Sequence, residues 1–366
     1  MKLKEKISWL MGRLQRSLFP ILEECCVSPL TEQEKHLVKL LEIIEIEKHV
    51  PGNRQWMGRP SAERRTIARC YVAKVFFRYP HTRILLHELQ ARVNLRLICG
   101  FAKRQDVPSE STFSRAFAAF ARTDLGGIVH NALVKEYLSG ELLGHVSRDS
   151  TAIIGREKAA KKIKAVNVPR KKGRPAKSEQ RQPPELKRLD RQVQQTADEA
   201  VAELPNVCDR GVKKNAKGYT ETWNGFKLHV DVNDTGLPLS AVLTSASVHD
   251  SQVALPLMKL TSSKVQYCYD LMDAAYDAHQ IRTLSKELDH VPIIDRNPRN
   301  GEVLPMSPHE ARRYNERSAS ERFNSRLKEQ FGGRNVMVRG PAKVMLHLMF
   351  GVVALFADQL IKLTGY

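Results

Sequence analysis

The pattern of apolar residues predicts an all-α N-terminal region followed by an α/β domain built on a mixed sheet. Three observations carry this. Apolar positions recur at helical spacing as far as about Gly140. A strictly alternating run, Phe226 to Val232, turns at Asn233-Asp-Thr-Gly236 into Leu239–Thr244. Helix-like and strand-like segments then alternate to the end.

Taken in order, Thr31 followed by Glu34 predicts a capping box, and Leu37, Leu40, Leu41 and Ile44 form the stripe of the helix it opens. Further helices are expected over Ser61–Arg78, His87–Leu97 and Ser111–Arg122, divided by loops at Pro80 and Pro108. The first strand is expected in Leu142–Ile154. Beyond Gly155, residues 156–182 hold eleven Lys/Arg against two Glu, the composition of a basic insertion. Glu185–Leu204 returns to helical spacing. After the hairpin, the expected order is a helix over Ser251–Leu260, a strand over Val265–Asp273, a helix over Ala275–Leu288, a strand at Val291–Asp295 and a long helix through Tyr314–Lys328. This is an antiparallel start with a parallel continuation.

The boundaries that follow are 1–140 for a helical region and 141–335 for the α/β domain, with its insertion at about 155–218. Residues 336–366 are a C-terminal helix packing on that domain. Val344–Leu363 has the length of a membrane span, but His347, Asp358, Gln359 and Lys362 interrupt it. Gly340-Pro341 is a good helix start, so a buried helix and no membrane are expected. Residues 1–22 do not read as a secretory signal, because Arg13 and Arg16 break the apolar run.

With 366 residues, a formal charge of +19 and a pI near 9.7, the chain calls for a polyanionic partner, because phosphate binding releases counterions. Composition alone does not separate DNA from RNA or an anionic membrane. The six cysteines are scattered without zinc spacing, so a reduced protein without a zinc module is expected.

Around Glu321 the residue types are more specific. At about 100° per residue, Tyr314, Arg317 and Lys328 fall within roughly 40° of Glu321 on one helix face. A solvated ion-pair stripe has the same composition. The spacing Tyr, two residues, Arg, three residues, Glu, six residues, Lys nevertheless resembles, without a gap, the signature around the last catalytic carboxylate of insertion-sequence DDE transposases. Asp149 in Ser-Arg-Asp-Ser-Thr and Asp273 in Met-Asp-Ala-Ala-Tyr resemble the first and second catalytic aspartates of that family. Asp270 and Asp277 are the neighbouring alternatives, but only Asp273 stands three residues before Tyr276. Ala274 and Ala275 depart from the basic residue and glycine common there, which puts the metal geometry in question. His229 and His249-Asp250 also resemble family text, although ordinary polar packing accounts for them.

The resemblance implies an RNase H-like catalytic domain. It also implies Asp149, Asp273 and Glu321 as catalytic ligands of Mg²⁺, with Mn²⁺ as a substitute, because hard cations take carboxylate oxygens. Tyr314, Arg317 and Lys328 would bind DNA. Gly58-Arg-Pro60, the helices after it and Val107–Phe117 resemble the N-terminal helical domain of such transposases, which makes residues 1–140 the DNA-binding domain expected to recognise the element's ends. The implied activity is cleavage at the element's ends followed by strand transfer; the partners are double-stranded DNA, both terminal inverted repeats and target, and further copies of the chain as a homodimer or higher oligomer. A bacterial cytoplasmic location, nucleoid-associated on DNA, goes with it. In the basic insertion, Arg170, Lys171, Lys172 and Arg174, within Pro169-Arg-Lys-Lys-Gly-Arg-Pro175, resemble the minor-groove core of AT-hook peptides; nonspecific phosphate binding fits them as well. Two neighbouring functions remain open at this stage: a domesticated, catalytically impaired DNA-binding protein, which Ala274-Ala275 keeps alive, and a nuclease that cuts without joining.

Overall fold

The computed structural model describes residues 28–51, 62–160, 186–214, 218–298 and 305–363. The chain opens with α1 (Glu32–Ile44), whose capping box forms as expected: the Thr31 hydroxyl accepts the Glu34 N–H, and the Glu34 carboxylate accepts the Thr31 N–H at 3.0 Å. Helices α2 (Arg64–Phe76), α3 (Thr82–Ala91), α4 (Val93–Ile98), α5 (Glu110–Arg122) and α6 (Leu125–Leu138) follow. The single helix expected over His87–Leu97 is two. Arg92 leaves helical geometry, donating to Glu34 at 2.8 Å with its guanidinium carbon 4.9 Å from the centre of the Phe77 ring. Helix α6 is not among the helices that the apolar spacing delimits, and Gly126-Gly127 in its first turn weakens its pattern. The glycine is there for packing, since a Cβ at Gly126 would lie 2.5 Å from the Met349 Cβ.

The sheet is mixed, with flanking helices. Strands β1 (Leu142–Ile154), β3 (Thr220–Asn233) and β4 (Pro238–Ser245) form an antiparallel unit in which β3 is central. Strands β5 (Gln266–Met272) and β6 (Val291–Ile294) add in parallel on the other side of β1. Between β1 and β3 the described part of the expected insertion is folded. Helices α7 (Arg188–Gln194) and α8 (Ala197–Ala202) precede β2 (Asp209–Lys214), an edge strand paired with the start of β3. Lys259 ties α7 down by donating to the carbonyls of Gln192 and Val193 at 2.9 and 3.0 Å. Gly58-Arg-Pro60 and the stretch from Pro169 to Pro175 lie outside the described residues.

The sheet's two faces receive different partners. Helices α9 (Ser251–Ser262) and α10 (His279–Glu287) cover one, over a core that includes Leu255, Met258, Met272, Tyr276 and Ile281. The other face, through Phe226, Leu228, Val230 and Val232, joins one continuous core with the N-terminal helices and α13 (Pro341–Leu363).

Helix α13 is long and apolar enough to cross a membrane by length and composition, and it is mostly buried inside the protein. It was expected to pack on the catalytic domain, but much of its surface meets the N-terminal helices instead: Phe350 stacks on Tyr71 at 5.5 Å, and Phe356 meets His130 edge-on at 6.1 Å. Burying an apolar helix on all sides requires partners all round, and the sheet offers only one face. Its polar residues are the fastenings. His347 bonds the Gly332 carbonyl at 3.0 Å, Gln359 donates to the Thr235 carbonyl at 2.7 Å, and Asp358 holds His36 at 2.8 Å and also Arg326. Against the effect of burial, His36, Lys362 and Arg326 pull the Asp358 carboxyl down to about 2.

Candidate active site

Alternation along β1 decides which way its charged residues face. Asp149 pairs with Val230, and Arg148 with Asp231, so the two lie on opposite faces. Arg148 is fully buried and donates to Asp231 at 2.6 Å and Asp270 at 3.2 Å. Tyr267 and Ser285 add hydrogen bonds to Asp270, and Thr261 adds one to Asp231. Asp270 is therefore committed to a structural ion-pair network, which removes it as the second site aspartate. Asp277 is likewise engaged by Arg282 at 2.9 Å.

Asp149 and Asp273 come together through strand register. Ser147 on β1 is level with Leu271 on β5, so two residues further along both strands Asp149 lies level with Asp273, on the same face and one strand spacing away. Asp273 stands just past the end of β5 and caps the short 3₁₀ turn Ala274–Tyr276, accepting the Ala275 N–H at 2.8 Å. Neither Ala274 nor Ala275 adopts positive φ, so this turn does not need the glycine that the family pattern carries.

Burial, with some repulsion from Asp273, pushes the Asp149 carboxyl up to about 6, although the Ser150 N–H opposes the shift. Asp273 is also raised, by burial and then by Asp250. Asp250 itself is held below the usual carboxylate range despite its burial by His229 and Lys227, the latter at 2.9 Å. The phenol of Tyr276 is buried beside all three acids, and this raises its pKa.

The helix expected through Tyr314–Lys328 is built as α11 (Pro308–Tyr314), a 3₁₀ turn (Asn315–Arg317) and α12 (Ser318–Gln330). The helix docks on β1, where Ser147 donates to the Glu316 carbonyl at 3.4 Å and the Asn324 amide donates to Asp149 at 3.0 Å. Glu321 does not join the two aspartates. It is exposed and accepts from Arg317 at 2.6 Å, and the Arg317 guanidinium also lies in the field of Asp149 and Asp273 and 5.7 Å from the centre of the Tyr314 ring.

Lys328 is partly buried, and burial followed by its neighbours Lys213 and Arg334 lowers its pKa. Cations thus ring the acidic pair. Three residues at the site were missed in the sequence. Asn324 lies one turn beyond Glu321 on the same face, a spacing that could have revealed it. Lys213 was hidden in the stretch assigned to the insertion, and Lys227 reads as an ordinary outward residue of an alternating strand. Arg170, Lys171, Lys172 and Arg174 lie outside the described residues.

The family model described as "Transposase DDE domain" matches residues 189–357, and the one described as "Transposase domain (DUF772)" matches residues 26–119. The chain belongs to the insertion-sequence DDE transposases. The first match spans Asp273 and Glu321, whereas Asp149 falls between the two. No curated protein and no solved structure matches the chain.

DNA is the substrate of such transposases, and divalent metals are their general cofactor. Asp149 and Asp273 suit an oxygen-seeking cation, since each carries a charge that its surroundings disfavour. As arranged, however, no three Asp, Glu, His or Cys side chains among the described residues converge enough to hold one. Glu321 stands apart from the two aspartates, engaged by Arg317.

Proposed function

We propose that this transposase cleaves DNA at the ends of its own insertion sequence and joins the freed 3′-hydroxyl to target DNA, using an RNase H-like catalytic domain. The observation that carries the reading is the level placement of Asp149, midway along β1, and Asp273, just past the end of the neighbouring β5, beneath the helix that bears Glu321. The strand order, an antiparallel unit with two parallel additions, supports the fold assignment.

In this reading Asp149, Asp273 and Glu321 are the metal ligands. With Mg²⁺ or Mn²⁺ bound, such a site supplies hydroxide formation and stabilisation of the leaving oxygen. The chain's own residues do the rest. Asn324 fixes the Asp149 carboxylate, and the Ala275 amide fixes Asp273. Arg317, Lys328 and Lys213 hold terminal phosphates, with Tyr314 beside them, so that a cut end stays in place for joining. The helical region up to about residue 140 binds the terminal inverted repeats, the basic tract adds phosphate contacts, and the active form is a dimer or larger.

The test uses duplexes carrying the inverted repeats that flank the coding region, a target plasmid and Mg²⁺. Wild type should nick the ends and join pre-cut ones. Asp149→Asn, Asp273→Asn and Glu321→Gln should each abolish both steps while end binding persists. Arg317→Ala or Lys328→Ala should reduce joining of pre-cut ends at least as much as nicking. Wild type that binds the ends yet forms no joined product would sink the reading; nicks without joining would make the protein a nuclease.

A further inference from the structure

The Glu321 carboxylate is turned away from Asp149 and Asp273, in an ion pair with Arg317. Arg317 and Glu321 are four residues apart across the junction of the 3₁₀ turn and α12, with Arg317 Nη2 2.6 Å from Glu321 Oε1. The Glu321 side chain is 57% exposed, whereas Arg317 is 21% exposed and lies in the field of Asp149 and Asp273. The helix itself is already seated, since Asn324, one turn beyond Glu321, donates to Asp149 at 3.0 Å. Side chains three apart on a helix have Cβ atoms about 5–6 Å from one another. Glu321 can therefore reach the Asp149 side by rotating its own side chain, without movement of α12. What opposes that rotation is the ion pair, and what keeps Arg317 in place is the negative charge of Asp149 and Asp273, which a metal ion would otherwise offset.

We propose that Arg317 is a positioning residue that holds Glu321 out of the metal site until a DNA phosphate takes its guanidinium, so that binding a DNA end completes the ligand set. A phosphate is the suitable competitor, because its oxygens match the guanidinium fork better than the single contact Glu321 makes. Without DNA the site is a two-carboxylate half-site neutralised from within; with DNA it becomes a three-carboxylate site next to its substrate. Linkage requires reciprocity, so a metal that binds better with DNA must tighten DNA binding by the same factor. The inference rests on the assignment of Asp149, Asp273 and Glu321 as metal ligands.

The measurement is Mn²⁺ affinity of the full-length protein, read from the free Mn²⁺ signal in electron paramagnetic resonance. It is made with and without a pre-cut end duplex, and no target DNA is present, so nothing turns over. Binding by the duplex itself is subtracted using the Asp149→Asn/Asp273→Asn double variant. In wild type without DNA, Glu321→Gln should leave Mn²⁺ affinity unchanged; with the duplex it should cost roughly tenfold, within the range of ordinary site-to-site coupling. In an Arg317→Gln background, Glu321→Gln should cost that factor even without DNA.

An equal cost of Glu321→Gln with and without DNA in wild type would overturn the latch while leaving the metal assignment standing. A tighter Arg317→Gln protein that ignores Glu321→Gln would overturn it too, because charge relief alone explains that result. If neither Asp149→Asn nor Glu321→Gln alters Mn²⁺ binding in any state, the assignment beneath the proposal fails. The wild-type comparison needs no change at Arg317, so it decides the matter even if Arg317→Gln misfolds.

Discussion

Replacing Asp149 by Asn is expected to stabilise the protein at neutral pH while removing its proposed chemistry. Burial and the neighbouring Asp273 move the carboxyl from its ordinary 3.8 to about 6. At about 1.4 kcal/mol per pH decade, that displacement corresponds to at most about 3 kcal/mol. The side chain keeps some contact with water, so about 1–2 kcal/mol is the expected effect. Its sign follows from proton binding. The unfolded chain releases this proton near pH 4, whereas the folded protein keeps it to about pH 6. The native state is therefore favoured below the lower value, and that advantage is lost as pH rises through the upper one. Above it, wild type bears the cost of a disfavoured charge, which the neutral amide does not, and the amide oxygen still accepts from Asn324. Urea unfolding of metal-free protein at pH 4 and pH 7.5 measures this. The variant should gain about 1–2 kcal/mol at the higher pH and almost nothing at the lower. A variant less stable than wild type at pH 7.5, or a difference independent of pH, would refute the electrostatic account of the site.

Other perturbations reach different parts of the molecule. Arg148→Met leaves Asp231 and Asp270 buried without their shared cation and should cost about 3–5 kcal/mol at pH 7. That loss should shrink on acidification as the two acids protonate, which denaturant unfolding across pH would show. Deleting residues 161–181 in favour of a short Gly/Ser linker removes nine Lys/Arg and one Glu. The slope of log affinity for DNA against log salt should then become shallower by at least about 2, since each phosphate contact contributes about 0.9. An unchanged slope in filter binding would make the tract a linker. Arg156 and Glu157 must stay, because they bond the Met337 carbonyl and the Gly340 amide. Gly351→Ala puts a Cβ 2.5 Å from the Phe331 carbonyl oxygen and 2.9 Å from Leu327 Cδ1. It should destabilise the protein by about 1–3 kcal/mol, seen as a lower Tm.

Much of the architecture was legible because burial leaves a period in the sequence. The capping box at Thr31, the alternation from Phe226 to Val232 and the strand expected over Val265–Asp273, which forms over Gln266–Met272, are local patterns, and each appears in the structure. Where the reading failed, a contact distant in sequence had overruled the local pattern. Arg92 splits a helix because Glu34, 58 residues away, holds its guanidinium. Gly126 looks like a helix breaker until Met349 is found against it. Strand β2 has Lys213 and Lys214 at its end and reads as part of the basic insertion. Only the edge of β3 makes it a strand.

The sequence by itself determined the chemistry on offer: three carboxylates in order, cations around the last of them, and a surplus of positive charge for a polyanion. Residue type and spacing suffice for that, because they fix which groups exist and which share a turn. Whether the groups meet depends on register and side-chain direction, which sequence spacing does not encode. The pairing of Ser147 with Leu271 brings Asp149 level with Asp273, and alternation sends Arg148 to Asp270 on the opposite face. The tertiary structure also decided that Glu321 faces solvent in the grip of Arg317, because among closely placed acids the nearest cation takes the carboxylate that can reach it.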